Sequence, residues 1–100
     1  MVKIVSGASE IPQEGNVVID FFATWCGPCK RIAPTYEKLA DALPNIVFLK
    51  VDVDESPDLV NQYDISAMPT FVFLKDGKEI KRVEGADMAQ LESGFDLLTK

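Results

Sequence analysis

The sequence predicts an α/β fold, a central mixed sheet of five strands flanked by four helices, of which the first is shortened. In residues 2–63, apolar strand-forming segments alternate with segments whose apolar residues have helical spacing. This βαβαβ order is typical of parallel strands with crossover helices. Two further strand-like segments, joined by the strong hairpin turn Asp76-Gly77, then precede a last helical segment. Because a hairpin joins antiparallel strands, the sheet is predicted to be mixed.

The first elements are short. Val2–Val5 is predicted to be a strand, and Ser6–Asn16 has room for only one or two helical turns because Gly7, Pro12 and Gly15 interrupt it. The first helix is therefore expected to be shorter than the others.

The middle of the chain carries the longest elements. We predict strands over Val17–Ala23 and Ile46–Val53, with a helix between them that begins near Cys26 and ends near Leu43. Pro34 lies inside that helix and is expected to kink it. Its apolar face comprises Ile32, Ala33, Tyr36, Leu39, Ala40 and Leu43. The next helix, which carries Leu59, Val60 and Tyr63, is expected to start at Ser56-Pro57, a cap residue followed by proline.

The last third is predicted to hold strands over Thr70–Leu74 and Glu79–Glu84, the second with the charged side chains of a sheet edge. Asp87, with Gln90 three residues later, predicts the capped start of a final helix. The buried stripe of that helix comprises Met88, Leu91, Phe95 and Leu98.

Length and composition indicate one globular domain over residues 1–100, with 47% hydrophobic residues. The formal net charge of −6 disfavours nucleic acid and anionic membranes as partners. No stretch approaches the ~20 apolar residues of a membrane span, and no signal peptide is recognisable. We therefore expect a cytoplasmic protein, and in a reducing compartment a cysteine pair is more often catalytic or metal-binding than structural.

The chemistry centres on Trp25–Lys30, which reads Trp-Cys-Gly-Pro-Cys-Lys and leads from a strand into a helix. A helix amino terminus offers unpaired N–H groups and partial positive charge, so it favours a thiolate over a thiol. Two cysteines three residues apart on a helix bring their sulfurs within bonding range. This arrangement predicts a redox-active dithiol.

Two other interpretations of the cysteine pair are weaker. A structural disulfide closing so short a loop would contribute only about 2 kcal/mol in the loop-entropy model. A zinc site is disfavoured because the chain has 2 Cys and 0 His, too few for the usual four ligands unless two chains each contribute a pair.

The segment Trp25–Lys30 resembles the active site of the thioredoxin family, and the resemblance extends over essentially the whole chain. It implies the thioredoxin fold and the activity of a protein disulfide reductase. Cys26 would attack the substrate disulfide, and Cys29, less exposed, would resolve the mixed disulfide. In this family, Gly-Pro between the cysteines accompanies reductants, whereas Gly-His accompanies disulfide isomerases. Proline at this place could also be only a good helix starter.

Two charged residues interrupt predicted strands. Asp20 lies in an apolar strand, where burial should raise the pKa of its carboxyl group, and it matches the family's buried aspartate, which takes the proton of Cys29. A carboxylate that reaches solvent at the strand end is the alternative. Lys50 matches a family lysine that pairs with this aspartate, although a lysine extending from the strand to solvent is nearly as compatible with the sequence.

The resemblance also implies a substrate-docking surface. Pro69, cis in the family, would lie beside the cysteines, and the backbone before it would pair with an extended substrate peptide. The docking residues would be Trp25, Gly27, Pro28, Met68, Pro69, Gly85 and Ala86. Phe22 stands where many members have a second tryptophan, a difference expected to affect fluorescence more than mechanism.

For partners, the resemblance implies no bound cofactor or metal. A flavin-dependent thioredoxin reductase using NADPH would regenerate the dithiol of a monomeric protein. Typical clients of the family are ribonucleotide reductase, peroxiredoxins and methionine sulfoxide reductases. A disulfide oxidase or isomerase domain is disfavoured by Gly-Pro, and a redox-inactive binding module by the presence of both cysteines with Asp20 and Pro69.

Overall fold

A computed structural model describes residues 1–100 and has the five predicted strands, each ending within one residue of its expected boundary. The strands are β1 (Val2–Ile4), β2 (Asn16–Phe22), β3 (Val47–Asp52), β4 (Thr70–Lys75) and β5 (Lys78–Glu84). The α-helices are α1 (Gly27–Ala42), α2 (Pro57–Gln62) and α3 (Met88–Leu98). None of these helices is long and apolar enough to cross a membrane.

The strands form one mixed sheet in the order β1-β3-β2-β4-β5. β1, β3 and β2 are parallel, while β4 runs antiparallel to both β2 and β5. At the β4–β5 turn, Asp76 and Gly77 both have positive φ, 51° and 82°, as a two-residue hairpin requires. β2 therefore lies at the centre of the sheet, and the site described below lies at its carboxyl end.

The predicted first helix is a single 3₁₀ turn over Ala8–Glu10, so the sheet is flanked by three α-helices and this turn. The Glu10 carboxylate accepts hydrogen bonds from the backbone N–H groups of Ser6 and Gly7 at 3.0 and 3.1 Å. The chain becomes extended at Ile11, directly before Pro12. The turn is thus capped at its start and ended after three residues, as the interrupting residues predict.

Two apolar clusters cover the two faces of the sheet, as the alternation of side chains along β2 requires. Val18 belongs to the cluster under α1 and α3, whereas Val17, Ile19 and Phe21 belong to the cluster on the α2 side. Asp20 and Phe22 share the phase of Val18 and so lie on the face covered by α1. This assignment places both residues beneath the helix that starts at the cysteines.

Tyr36 fastens α1 to the sheet. Its side chain is fully buried, and its hydroxyl lies 2.8 Å from the Leu49 carbonyl oxygen and 3.2 Å from that of Val18. The hydroxyl therefore bridges β3 and β2 from the inner face of α1, which continues through the exposed Pro34. The start of α1 is held in a defined position relative to the end of β2.

The contact between α3 and the sheet generates a stability prediction. A Cβ atom added at Gly94 would overlap three carbons of the buried Phe73 ring. Gly94→Ala gains helix propensity of up to about 1 kcal/mol, but overpacking of this kind costs about 1–3 kcal/mol. We expect the free energy of unfolding, measured with urea, to fall by about 1 kcal/mol.

The matched control is Ser93→Ala, at the neighbouring exposed position of the same helix, which should change stability by less than about 0.5 kcal/mol. A Gly94→Ala variant as stable as the original chain would mean that the Phe73 ring moves aside without penalty.

Candidate active site

The cysteine pair lies where β2 leads into α1. Cys26 is the N-cap residue of α1, and it forms a disulfide with Cys29, whose Cα atom is 5.3 Å away. The backbone N–H of Cys29 donates to Cys26 Sγ at 3.3 Å, and Pro28 occupies the first turn, where its missing N–H leaves no helix bond unmade. The capping N–H and the helix dipole are both suited to stabilise negative charge on Cys26 sulfur.

Both cysteines are covered in this disulfide form, with 6% of Cys26 and 4% of Cys29 exposed. Cys29 is the less exposed of the two, as predicted, but the difference in exposure is small. They form a small apolar cluster with Ala23, against which Phe22, Val53 and Met68 pack. The physical reason is that these neighbouring side chains pack over the pair and that Cys29 lies on the buried face of α1.

The Asp20 carboxyl group is buried on the face of the sheet that α1 covers. Asp20 is 1% exposed, and neither of its side-chain oxygens has a hydrogen-bond partner. Burial raises the pKa of this carboxyl to about 7, and the positive charge of Lys50 opposes the rise. The alternative of a carboxylate reaching solvent is wrong.

Lys50 does not pair directly with Asp20. The two residues are register partners on β2 and β3, but they form no salt bridge, and the Lys50 ammonium lies 4.5 Å from the centre of the Phe22 ring. The expected ion pair is therefore wrong for this structure. A neutral carboxyl attracts a cation only weakly, whereas the face of an aromatic ring attracts it through the ring quadrupole.

An open cleft of about 280 Å³ lies beside Cys29. Its walls are formed by Phe22, Ala23, Thr24, Cys29, Lys30, Ala33 and Lys50. The cleft puts the contact between Lys50 and Phe22 next to the more buried cysteine. The wall therefore combines apolar side chains with two lysines.

Three of the predicted docking residues come together around the cis peptide bond of Met68-Pro69. Met68 packs against the cysteine cluster, and the backbone N–H of Gly85 donates to the Pro69 carbonyl at 2.8 Å. Gly27, Pro28 and Ala86 are exposed, the first two at the start of α1 and the last in the loop before α3. Trp25, directly before the pair, is 65% exposed.

Two contacts at this site are not predicted by the sequence. They are the contact of Trp25 with Asp54 and the contact of Lys50 with Phe22. The indole N–H of Trp25 donates to Asp54 Oδ2 at 2.9 Å, which orients an otherwise exposed ring. The signal available in the sequence was weak. Asp54 follows β3, and because β2 and β3 are parallel, residues after their carboxyl ends lie at the same edge of the sheet.

Comparison with known proteins agrees with this geometry. The family model described as Thioredoxin matches residues 6–96. The chain is similar to thioredoxin-2 of Pyricularia oryzae, with 52% identity over 77 residues, which are 77% of this chain and 45% of that relative. The aligned stretches cover 60–67% of the next four curated relatives, so the chain spans only part of the length of several of them.

Solved structures are similar over nearly the whole chain. The structure of Malassezia sympodialis thioredoxin (Mala s 13) has a TM-score of 0.91 at 42% identity, and the match covers 100% of this chain and 92% of that chain. A chain from a study of the thiol resolving mechanism in yeast mitochondrial 1-Cys peroxiredoxin via glutathione and thioredoxin systems has a TM-score of 0.90 at 44% identity. That match covers 97% of this chain and 95% of the other.

The fold is therefore the thioredoxin fold, with the cysteine pair at the junction of β2 and α1. The chain belongs to the thioredoxin family.

Proposed function

We propose that this protein reduces disulfides of other proteins in the cytoplasm by dithiol–disulfide exchange, with Cys26 as nucleophile and Cys29 as resolving thiol. The observation that carries the proposal is the Cys26–Cys29 disulfide at the amino terminus of α1, together with a buried carboxyl group of raised pKa on the sheet face that α1 covers. The helix terminus would stabilise the Cys26 thiolate, and the Asp20 carboxylate would accept a proton.

The reaction proceeds in two exchanges. The Cys26 thiolate attacks one sulfur of the substrate disulfide, forming a mixed disulfide and releasing the other substrate sulfur as a thiolate. The Cys29 thiol then attacks Cys26 Sγ while its proton passes to the ionised Asp20 carboxylate. The second substrate thiolate leaves, and Cys26 and Cys29 become the observed disulfide. Two electrons pass from the dithiol to the substrate.

The residues around the pair supply the docking surface. The backbone at Met68, before the cis Pro69, would pair with an extended substrate segment, as in the addition of a strand to a sheet edge. Trp25, Gly27, Pro28, Gly85 and Ala86 would surround that segment. The large exposed ring of Trp25, oriented by Asp54, supports this assignment because aromatic residues are enriched at interfaces.

Lys50 would act through its charge, which opposes the rise in the pKa of Asp20. No cofactor would bind to the protein itself. A flavin-dependent thioredoxin reductase using NADPH would regenerate the dithiol of a monomer.

Peroxiredoxins are the clients best supported, because a similar chain comes from a study of thiol resolution in a yeast mitochondrial peroxiredoxin. Ribonucleotide reductase and methionine sulfoxide reductase are further clients that family membership suggests. The same study makes mitochondria the compartment to test beside the cytoplasm.

The reduction potential of the Cys26–Cys29 couple tests the direction of the proposed reaction. We expect a value near −270 mV, typical of thioredoxins, from equilibration with dithiols of known potential, followed by fluorescence of Trp25, the only tryptophan. A value near −180 mV, typical of disulfide isomerases, would contradict a reductant and favour disulfide formation instead.

The two cysteines should behave differently when replaced. Because Cys29 resolves the intermediate, Cys29→Ser should accumulate disulfide-linked complexes with oxidised protein substrates, visible on non-reducing gels. Cys26→Ser is the matched control and should accumulate few. The opposite result would reverse the assigned roles.

The raised pKa of Asp20 predicts a pH-dependent gain in stability for Asp20→Asn. The pKa of the Asp20 carboxyl is about 7 in the folded chain and 3.8 for an ordinary carboxyl. Because the folded chain binds this proton more tightly, proton binding at Asp20 stabilises the fold fully below pH 3.8, and this stabilisation is lost as pH rises through 7. Above pH 8, Asp20→Asn should therefore raise the free energy of unfolding by a few kcal/mol, and at pH 3 by almost nothing. Urea unfolding at both pH values measures the difference.

The same variant should be slower. Without an acceptor for the Cys29 proton, turnover of protein disulfides should fall about tenfold or more at pH 7, while alkylation of Cys26 by a small reagent is spared. Asp96→Asn, at an exposed position of α3, is the control for both measurements. Unchanged turnover from pH 6 to 9 would remove Asp20 from the mechanism.

A further inference from the structure

The Lys50 ammonium has two possible neighbours on β2, and it contacts only one of them. Asp20 is its direct register partner, and Phe22 is the next residue on the same face. The ammonium lies 4.5 Å from the centre of the Phe22 ring, while both Asp20 carboxyl oxygens have no hydrogen-bond partner. The buried acid thus forms no ion pair with the cation on the neighbouring strand.

The other groups around Asp20 do not compensate for this separation. From α1, the Tyr36 hydroxyl is engaged with the Leu49 and Val18 carbonyl oxygens, and Cys29 is in the disulfide. From β4, the register partner of Asp20 is Phe71, which has no charge. Lys30 of α1 lines the same cleft but is exposed. Lys50 is therefore the cation whose position acts on Asp20.

The ring can compete for this cation because of where it lies. Phe22 is half-buried, packs against the cysteine cluster and forms a wall of the cleft, so its face is partly shielded from water. Attraction between an ammonium and an aromatic face strengthens as both lose water. Lys50 is also half-buried, so its ammonium is partly shielded from water where it lies over the ring.

We propose that Phe22 is a positioning residue that holds the Lys50 ammonium away from Asp20 and so sets the pH range in which Asp20 exchanges its proton. The placement rests on the geometry above, whereas its effect on turnover rests on the proposed function. Release of the ammonium from the ring would let it approach the carboxylate and stabilise the charged form. Asp20 would then be a weaker base for the Cys29 thiol.

The test is a carbon-13 NMR titration of the Asp20 carboxyl in the oxidised chain of residues 1–100. Phe22→Leu keeps apolar bulk but removes the aromatic face, and it should lower the titration midpoint by about 0.5 pH unit. Phe22→Trp keeps an aromatic face and should leave the midpoint within about 0.2 unit, since tryptophan attracts cations at least as well.

A double variant separates the ring–lysine contact from a change in burial. Lys50→Met should raise the midpoint by itself, because the opposing charge is gone, and adding Phe22→Leu to it should produce no further shift. An equal downward shift with and without Lys50 would overturn the proposal, since burial alone would then explain it. So would an unchanged midpoint in Phe22→Leu, or a Phe22→Trp variant that behaves like Phe22→Leu.

Turnover measured on the same variants distinguishes this inference from the proposed function. If Asp20 is the proton acceptor, the acidic limb of the pH profile for protein-disulfide reduction moves down with the NMR midpoint in Phe22→Leu. A moved midpoint with an unmoved limb upholds the placement of Lys50 and overturns the role of Asp20. An unmoved midpoint in an active reductase overturns the placement and leaves the proposed function intact.

Discussion

The hydrogen-bonded ladder that holds β2 between β3 and β4 is the constraint on which the site depends. It places Asp20 opposite Lys50 on one side and Phe71 on the other, so the carboxyl is buried with a cation on the neighbouring strand. Because β2 is central, every group attached to its carboxyl end is supported from both sides. The cysteine pair follows directly, at the start of a helix that Tyr36 fastens to the same two strands.

The burial of the Asp20 carboxyl opposes stability and is also what suits this group to its proposed role. An ionised group without a hydrogen-bond partner is costly in an apolar interior, and the fold reduces this cost by keeping the group protonated up to about pH 7. A carboxyl that changes charge near neutral pH is suited to accept a proton and return it at that pH. The same burial therefore accounts for both the stability penalty and the proposed function of Asp20.

Most of the architecture could be predicted because it depends on local signals. Alternating apolar patterns, the Asp76-Gly77 turn and the proline and cap positions are each encoded within a few residues, and the strands and α-helices begin and end close to where those signals lie. The motif Trp25–Lys30 predicts Cys26 and Cys29 as site residues, and the charge of Asp20 in an apolar strand predicts Asp20. The contact between Trp25 and Asp54 could not be predicted, because it joins loops that only the parallel pairing of β2 and β3 brings together.

The contact of the Lys50 side chain could not be predicted from the sequence. The register places the Lys50 backbone opposite Asp20. A long side chain can contact any of several partners, and small differences in free energy between these contacts decide which one it forms. In this structure, Phe22 offers a half-buried aromatic face at the next position on the same side of β2. When Asp20 is neutral the ring is the better partner, and when Asp20 is ionised the carboxylate competes more strongly. Phe22, which stands where many family members have a second tryptophan, thus contacts the cation whose charge acts on the pKa of Asp20.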